Sequence, residues 1–129
     1  MKVRLHESSE LSWRRVGDMS SNPGDSSNLH AGLAETRIRN HEPGTETEPE
    51  MFEAEYGPNG FSTPHWHDVS EIIYIVEGEM HVGAKVLGPG SSLFIDKEAV
   101  YSFKAGPHGL KFVNFRPRGG TGTHRKKAG

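Results

Sequence analysis

The sequence contains no cysteine and no long apolar run, and its charges nearly cancel. Without cysteine the chain can form neither a disulfide nor a thiolate zinc site. No apolar stretch approaches the roughly 18 residues that would suggest a membrane span. The first residues, MKVRLHESSELSWRR, lack the apolar segment of a secretory signal, so we expect a cytoplasmic protein. A formal net charge of -2 gives no electrostatic reason to bind nucleic acid or an anionic membrane.

Apolar residues are also scarce, but they are distributed unevenly. They make up 33% of the 129 residues, which is enough for one domain at most. Residues 51–116 hold 29 of them in 66 positions, whereas the other 63 positions hold 13. We therefore expect the second half of the chain to build the core.

That second half shows the period of two that is typical of strands. Phe52, Ala54 and Tyr56 alternate with glutamates, and residues 72–76 form a continuous β-branched and aromatic run. Four more short strands are predicted between glycine- and proline-containing turns: residues 79–82, 92–95, 100–104 and 110–115. Short strands at this spacing, with no helical periodicity, predict an all-β sandwich or barrel.

The two ends of the chain are polar. We predict a short strand at residues 11–16, a loop over 17–28, an edge strand within 29–40 and an acidic loop over 41–50. The predicted organisation is a single domain in which residues 1–49 complete the barrel, residues 50–118 form its core, and residues 119–129 are a disordered basic tail.

The most informative stretch is His65-Trp66-His67-Asp68-Val69-Ser70-Glu71. In a strand His65 and His67 face the same side, and Glu71 returns to that side if the intervening turn preserves parity. Two imidazoles and one carboxylate are a common ligand set for a divalent metal with open positions. The alternative is a solvated pair of histidines on a surface strand.

The residues around these three form the pattern G-x4-HxH-x3-E-x6-G, from Gly60 to Gly78. This pattern resembles the first signature motif of the cupin superfamily, with four residues instead of five after the first glycine. The resemblance implies a cupin-like double-stranded β-helix, or jelly-roll barrel, with a loop-rich N-terminal extension. It also implies that His65, His67 and Glu71 are the metal ligands.

A second cupin motif can be aligned from Gly90 without a gap, but its chemistry differs. Asp96 and Glu98 stand where proline and glycine are usual, and Ala105 replaces the asparagine. Tyr101 stands where the last histidine ligand of the family is expected. The resemblance covers residues 60–105 and extends loosely to 116–117.

Tyr101 shares the inward parity of Phe103, and three roles stay open for it. It could bind the metal as a phenolate, because a nearby divalent ion lowers the pKa of a coordinating group. It could act as a general acid or base, or donate a hydrogen bond to bound substrate. It could also be a packed core tyrosine.

Other candidates carry weaker signals. We do not expect His81, a lone histidine on a hairpin strand, to be a ligand. Four aromatic residues share the inward parity and could line an apolar pocket or simply form the core: Phe52, Tyr56, Phe61 and Phe103. Six arginines could select an anionic substrate, but nothing places them at the barrel mouth: Arg14, Arg15, Arg37, Arg39, Arg116 and Arg118.

The opposite face carries Trp66, Ile72, Tyr74 and Val76, and its apolar character leads us to expect a homodimer.

Three functions are compatible with these features. The first is a metal-dependent enzyme, a dioxygenase or an isomerase, cyclase, lyase or decarboxylase, acting on a small oxygenated substrate. It would use one divalent transition metal per chain, which could be iron, manganese, nickel, zinc or copper. The second is a non-catalytic module that binds a small molecule or metal. The third is a structural dimer with a vestigial site.

Overall fold

The computed structural model describes residues 2–19, 35–120 and 122–125, and in these residues the chain is almost entirely β-structure. The strands are β1 (Arg14–Arg15), β2 (Arg37–Glu42), β3 (Glu50–Tyr56), β4 (Phe61–His67), β5 (Glu71–Val82), β6 (Lys85–Leu87), β7 (Ser92–Ile95), β8 (Tyr101–Arg116) and β9 (Thr123–Arg125). A 3-10 turn at Ser8–Glu10 and one helix, α1 (Val16–Met19), are the helical elements of the described residues. The predicted all-β class is confirmed. No helix in these ranges is long and apolar enough to cross a bilayer.

All strand pairs are antiparallel, and β8 joins the two parts of the sheet. One path runs β1-β2-β3-β8-β4-β9, while β5 pairs with β8 and also with β6 and β7. Strand β8 therefore contacts β3, β4 and β5 along its 16 residues. This sharing curls the sheet into the barrel that the sequence predicts.

The two longest strands bend where separate strands were predicted. Glycine and proline predict turns at residues 77–78 and 105–107, but β5 and β8 run through them, with register shifts between Ile75 and Glu77 and between Gly78 and Met80. Gly78 has a φ of 76°, and a Cβ there would clash with the carbonyl oxygen of Gly109. The glycine thus permits a bend and a close strand contact, so it does not end the strand.

The N-terminal predictions are correct in part. The strand predicted at residues 11–16 shortens to Arg14–Arg15, because α1 begins at Val16. The strand predicted within 29–40 is β2, in register with β3 from Arg37↔Glu55 onward, but it is not at the edge of the sheet because β1 pairs with its other side. Residues 29–34 and most of the loop predicted at 17–28 lie outside the described residues. The acidic loop predicted over 41–50 is shorter in the structure and covers residues 43–49, because β2 ends at Glu42 and β3 begins at Glu50.

The prediction of a disordered tail is wrong for Thr123–Arg125, which pairs with β4. The His124 ring stacks on Trp66 with centroids 3.9 Å apart, and its Nε2 lies 3.0 Å from both carboxylate oxygens of Asp68. Ring stacking and a hydrogen-bonded side-chain pair explain the order of a segment that composition alone assigns to disorder. Residues 126–129 lie outside the described residues.

Inward parity agrees with the sequence pattern along β3 and β5. The prediction is wrong for Phe61 of β4, which is 41% exposed and does not line the cavity, because the register of β4 shifts between Ser62 and His65. Ala54 and Tyr56 of β3, and Ile73 and Ile75 of β5, are buried in the core. The neighbours of Ile73 on β5 point the other way and are about half exposed. The alternation thus places one face of each strand in the barrel and leaves an apolar outer face.

Candidate metal centre

A cavity of about 200 Å³ lies inside the barrel. Its aromatic lining comes from Phe52, Tyr56, Phe103 and Phe112, and its polar lining includes His65, His67, Tyr101, Asn114 and Arg116. An apolar cavity with a few convergent polar groups is the usual form of a small-molecule site.

Three strands bring the predicted ligands together. His65 and His67 share the inward face of β4, and Glu71 opens β5 after a short turn. Tyr101 lies opposite His65 in the β4–β8 register, so the first residue of β8 reaches the site. The last residue of β8, Arg116, reaches it as well, because Phe115 pairs with Ile72 next to Glu71.

The Glu71 side chain is the centre of a buried polar network and has no solvent contact. Arg116 Nε donates to Glu71 Oε2 at 2.8 Å, and the Tyr101 hydroxyl donates to Glu71 Oε1. Arg116 Nη1 also donates to Glu50 Oε1 at 3.0 Å. Both oxygens of the carboxylate thus have a donor, as a buried charge requires.

The two histidines each direct one ring nitrogen to a backbone carbonyl. His65 Nδ1 lies 2.8 Å from the Thr63 oxygen, and His67 Nδ1 lies 3.3 Å from the Gly122 oxygen. A proton on Nδ1 leaves the lone pair on Nε2, the tautomer that binds metals. His67 Nε2 lies 3.8 Å from Glu71 Oε2, and the two imidazole centroids are 5.0 Å apart.

Burial and the network shift two pKa values strongly. Burial, followed by the Arg116 charge, lowers the pKa of His67 from 6.5 to about 4, so the imidazole is neutral at pH 7. Burial, together with the Glu71 charge, raises the pKa of Tyr101 far above its ordinary value of 10. In this arrangement Tyr101 is a protonated donor to Glu71.

The donor set fits a divalent metal in chemical type, but Arg116 competes for the same space. Arg116 Nη2 lies 3.4 Å from His67 Nε2 while Nε binds Glu71, so the guanidinium contacts two of the three proposed ligands. As the side chains stand, the described ranges contain no group of three or more His, Asp or Glu positioned to hold an ion. A metal at this place would have to replace the Arg116–Glu71 ion pair.

Arg116 and Asn114 were missed as site residues by the sequence reasoning. The sequence does not place Arg116, one of six arginines, at the barrel mouth, and it gives no motif that includes Asn114. Both follow Phe112 at intervals of two on β8, so the inward parity of Leu110 and Phe112 carries the signal. Three of the other five arginines pair with glutamates away from the cavity: Arg15 with Glu35, Arg37 with Glu55, and Arg39 with the partly buried Glu53. His81 does not line the cavity.

The chain is a curled antiparallel barrel whose interior holds two histidines, a glutamate and a tyrosine. These features place it in the class of small barrel proteins with a polar internal pocket. The sequence model of the family described as Cupin matches residues 20–107, and the chain belongs to this family. No curated protein matches the chain.

Solved structures show the same fold. An RmlC-like cupin from Shewanella frigidimarina has 18% sequence identity and a TM-score of 0.67, over 90% of this chain and 92% of its own. The polyketide cyclase RemF from Streptomyces resistomycificus has 24% identity and a TM-score of 0.70, over 100% and 88%. A putative acetylacetone dioxygenase from Methylibium petroleiphilum has 11% identity and a TM-score of 0.68, over 91% and 78%. The structural neighbours of this cupin thus include enzymes.

Proposed function

We propose that this cupin is a metal-dependent enzyme that acts on a small oxygenated organic substrate. His65, His67 and Glu71 would hold one divalent transition metal, and Tyr101 would serve as a fourth ligand or as a proton donor. The observation that carries the proposal is the pair of buried imidazoles. Each places Nδ1 on a backbone carbonyl, and His67 turns Nε2 toward a buried carboxylate.

When bound, the metal would supply a Lewis acid for a substrate oxygen or a centre for dioxygen activation. The chain's own residues would do the rest. The aromatic lining would exclude water from the substrate, and Tyr101, which keeps its proton at neutral pH, would donate a hydrogen bond or a proton. The printed activities of structural neighbours, a cyclase and a putative dioxygenase, support enzyme chemistry in this fold.

Elemental analysis of protein purified without chelator tests the metal assignment. We expect about one first-row ion per chain in the wild type, loss of the ion in His67→Ala, and unchanged content in the control His81→Ala. Wild-type protein without metal, or His67→Ala with full metal content, would overturn the ligand assignment.

Replacement of Tyr101 by Phe separates its three roles. Loss of metal identifies a ligand, loss of turnover with metal retained identifies a proton donor, and lower stability alone identifies a core residue. In protein reconstituted with iron(III), a tyrosinate charge-transfer band that disappears in Tyr101→Phe would identify a bound phenolate directly.

The second candidate is a non-catalytic module that binds a small molecule. The observation that favours it is the Arg116 guanidinium, which pairs with Glu71 and contacts His67, so the chain itself supplies the positive charge at this place. Such a module would bind ligand equally well before and after chelator treatment, whereas the metal-dependent enzyme would lose turnover.

We also propose that the protein is a homodimer. The outer face of β5, β7 and β8 carries five exposed apolar side chains: Ile72, Tyr74, Val76, Phe94 and Phe115. Contiguous exposed apolar patches on a sheet are typical of protein interfaces. A second copy of the chain is the occupant that the symmetry of most oligomers favours.

A further inference from the structure

Asn114 is a buried polar residue that the proposed chemistry does not use. Its side chain is 3% exposed, it lines the cavity, and its Oδ1 has no hydrogen-bond partner among the described residues. A buried amide oxygen without a hydrogen-bond partner destabilises a protein, so its position on the cavity wall calls for an explanation.

The position of Asn114 in β8 shows what surrounds it. Phe112, Asn114 and Arg116 alternate inward along the strand, so the amide lies between an aromatic wall and the polar network. A half-turn about the last side-chain bond exchanges its oxygen and nitrogen, so the amide can present either an acceptor or a donor. Either suits a hydroxyl group.

Cavity size and charge define the ligand further. A volume of about 200 Å³ suits a molecule of one ring, because dry cavities of about 150 Å³ hold a benzene-sized molecule. Arg116 is the only arginine or lysine among the described residues that line the cavity, and it is already paired with Glu71 and Glu50. The cavity therefore offers no unpaired positive charge to an anionic ligand.

We propose that Asn114 is a specificity-determining residue that hydrogen-bonds the hydroxyl group of an uncharged, single-ring ligand held between the aromatic side chains of the cavity. This inference rests on the proposed function, because it assumes that the cavity is the substrate site. It adds the substrate class and the residue that recognises it.

Phenol and toluene test the proposal, since they have the same size and differ in one hydroxyl. Their dissociation constants are measured by NMR titration of the cavity resonances, in protein as purified and after chelator treatment. We expect wild type to prefer phenol over toluene by about 3- to 10-fold, as one neutral hydrogen bond provides. We expect Asn114→Leu to remove or reverse that preference without a lower Tm.

The matched control is Val113→Ala, which alters the adjacent residue on the outer face of β8 and should leave the preference unchanged. If Asn114→Leu does not fold, Asn114→Val makes the same test with a smaller strand-forming residue. An unchanged preference in the folded variant, or no binding of either probe to wild type, overturns the inference.

The result is separable from the metal assignment. Failure of this inference would leave the metal content of wild type and of Asn114→Leu as proposed. Failure of the metal assignment would leave the phenol-to-toluene ratio of the chelator-treated protein as expected here.

Discussion

Arg116 Nε lies 2.8 Å from Glu71 Oε2, and this ion pair is formed by the last residue of β8 and the first residue of β5. The Glu71 side chain has no solvent contact, and the Arg116 side chain is 11% exposed. Two charges in such surroundings depend on each other, since either one alone would be buried without compensation. Positive charge beside Glu71 therefore stabilises the fold, and Arg116 or a metal ion could supply it.

Replacement of Arg116 by Gln should make the protein depend on metal. Without metal, we expect the free energy of unfolding to fall by about 3 kcal/mol, because Glu71 keeps a buried charge without its partner. Added divalent metal should restore much of that loss and should bind more tightly than to wild type, since the competing guanidinium is gone. Urea unfolding with and without metal measures the first effect, and metal titration measures the second.

Arg37→Gln is the matched control, because it removes an arginine from a half-exposed pair with Glu55. It should cost about 1 kcal/mol or less and leave metal affinity unchanged. Weaker metal binding in Arg116→Gln than in wild type would contradict a competition between the Arg116 guanidinium and the metal ion.

The lowered pKa of His67 predicts a loss of stability in mild acid. The unfolded imidazole takes up a proton below pH 6.5, whereas the folded one does so near pH 4. The contribution is thus complete above pH 6.5 and is lost as the pH falls from about 6.5 to about 4. We expect about 1–2 kcal/mol after allowance for solvent screening.

Urea unfolding of chelator-treated protein at pH 7 and pH 5 measures this loss, and an NMR titration places the His67 midpoint. His67→Gln should show a shallower decline between the two pH values because it cannot take up the proton. A His67 midpoint near 6.5 in the folded protein would exclude the effect.

The sequence predicted the inner faces of β3 and β5, and of the histidine end of β4, because alternation decides them. Phe61 at the start of β4 was predicted inward but is exposed, since the register shifts between Ser62 and His65. Parity places His65 and His67 on one side of a strand. The following turn returns Glu71 to their vicinity, and His67 Nε2 lies 3.8 Å from Glu71 Oε2. The sequence pattern could not predict that Arg116 pairs with Glu71. That contact depends on how far β8 extends, and Gly106 and Pro107 suggested a break where the strand only bends.

The same limit applies to the C-terminal segment. Glycine and basic residues indicate a tail without structure, since composition measures how little apolar surface a segment can bury. The contacts that order it are pairwise: His124 on Trp66, and Gly122 oxygen on His67 Nδ1. Such pairs between distant residues leave no trace in local composition.

Removal of residues 120–129 should therefore affect the site and not only the surface. We expect exposure of Trp66, seen as altered tryptophan fluorescence, and loss of the carbonyl that fixes His67 Nδ1. The His67 tautomer should become mixed in nitrogen-detected NMR of the truncated protein. A chain that ends after residue 125 is the control. It should change neither the tryptophan fluorescence nor the His67 tautomer.

A single substitution tests the strand attachment without shortening the chain. The hydrogen bond from His124 lowers the pKa of Asp68 in the folded protein. The pair therefore stabilises the attachment of β9 fully at a pH above the ordinary pKa of Asp68. This contribution is lost as the pH falls through the lowered pKa. Asp68→Asn should loosen β9 at neutral pH, measured as faster amide exchange in residues 122–125. Unchanged exchange would show that ring stacking on Trp66 suffices.

The outer sheet face predicts the behaviour of the protein in solution. Tyr74 and Phe94 are 50% and 67% exposed and lie on neighbouring strands, paired at Ile72↔Phe94 and Tyr74↔Ser92. If two copies pack through this face, a charge at its centre would be buried against its symmetry mate at a cost of several kcal/mol. Tyr74→Glu should therefore give a monomer by light scattering at concentrations where wild type is a dimer.

Val100→Glu, at an equally exposed valine outside the strands of this face, should remain dimeric. A monomeric wild type, or a dimer that tolerates Tyr74→Glu, would show that this face is not the contact between subunits.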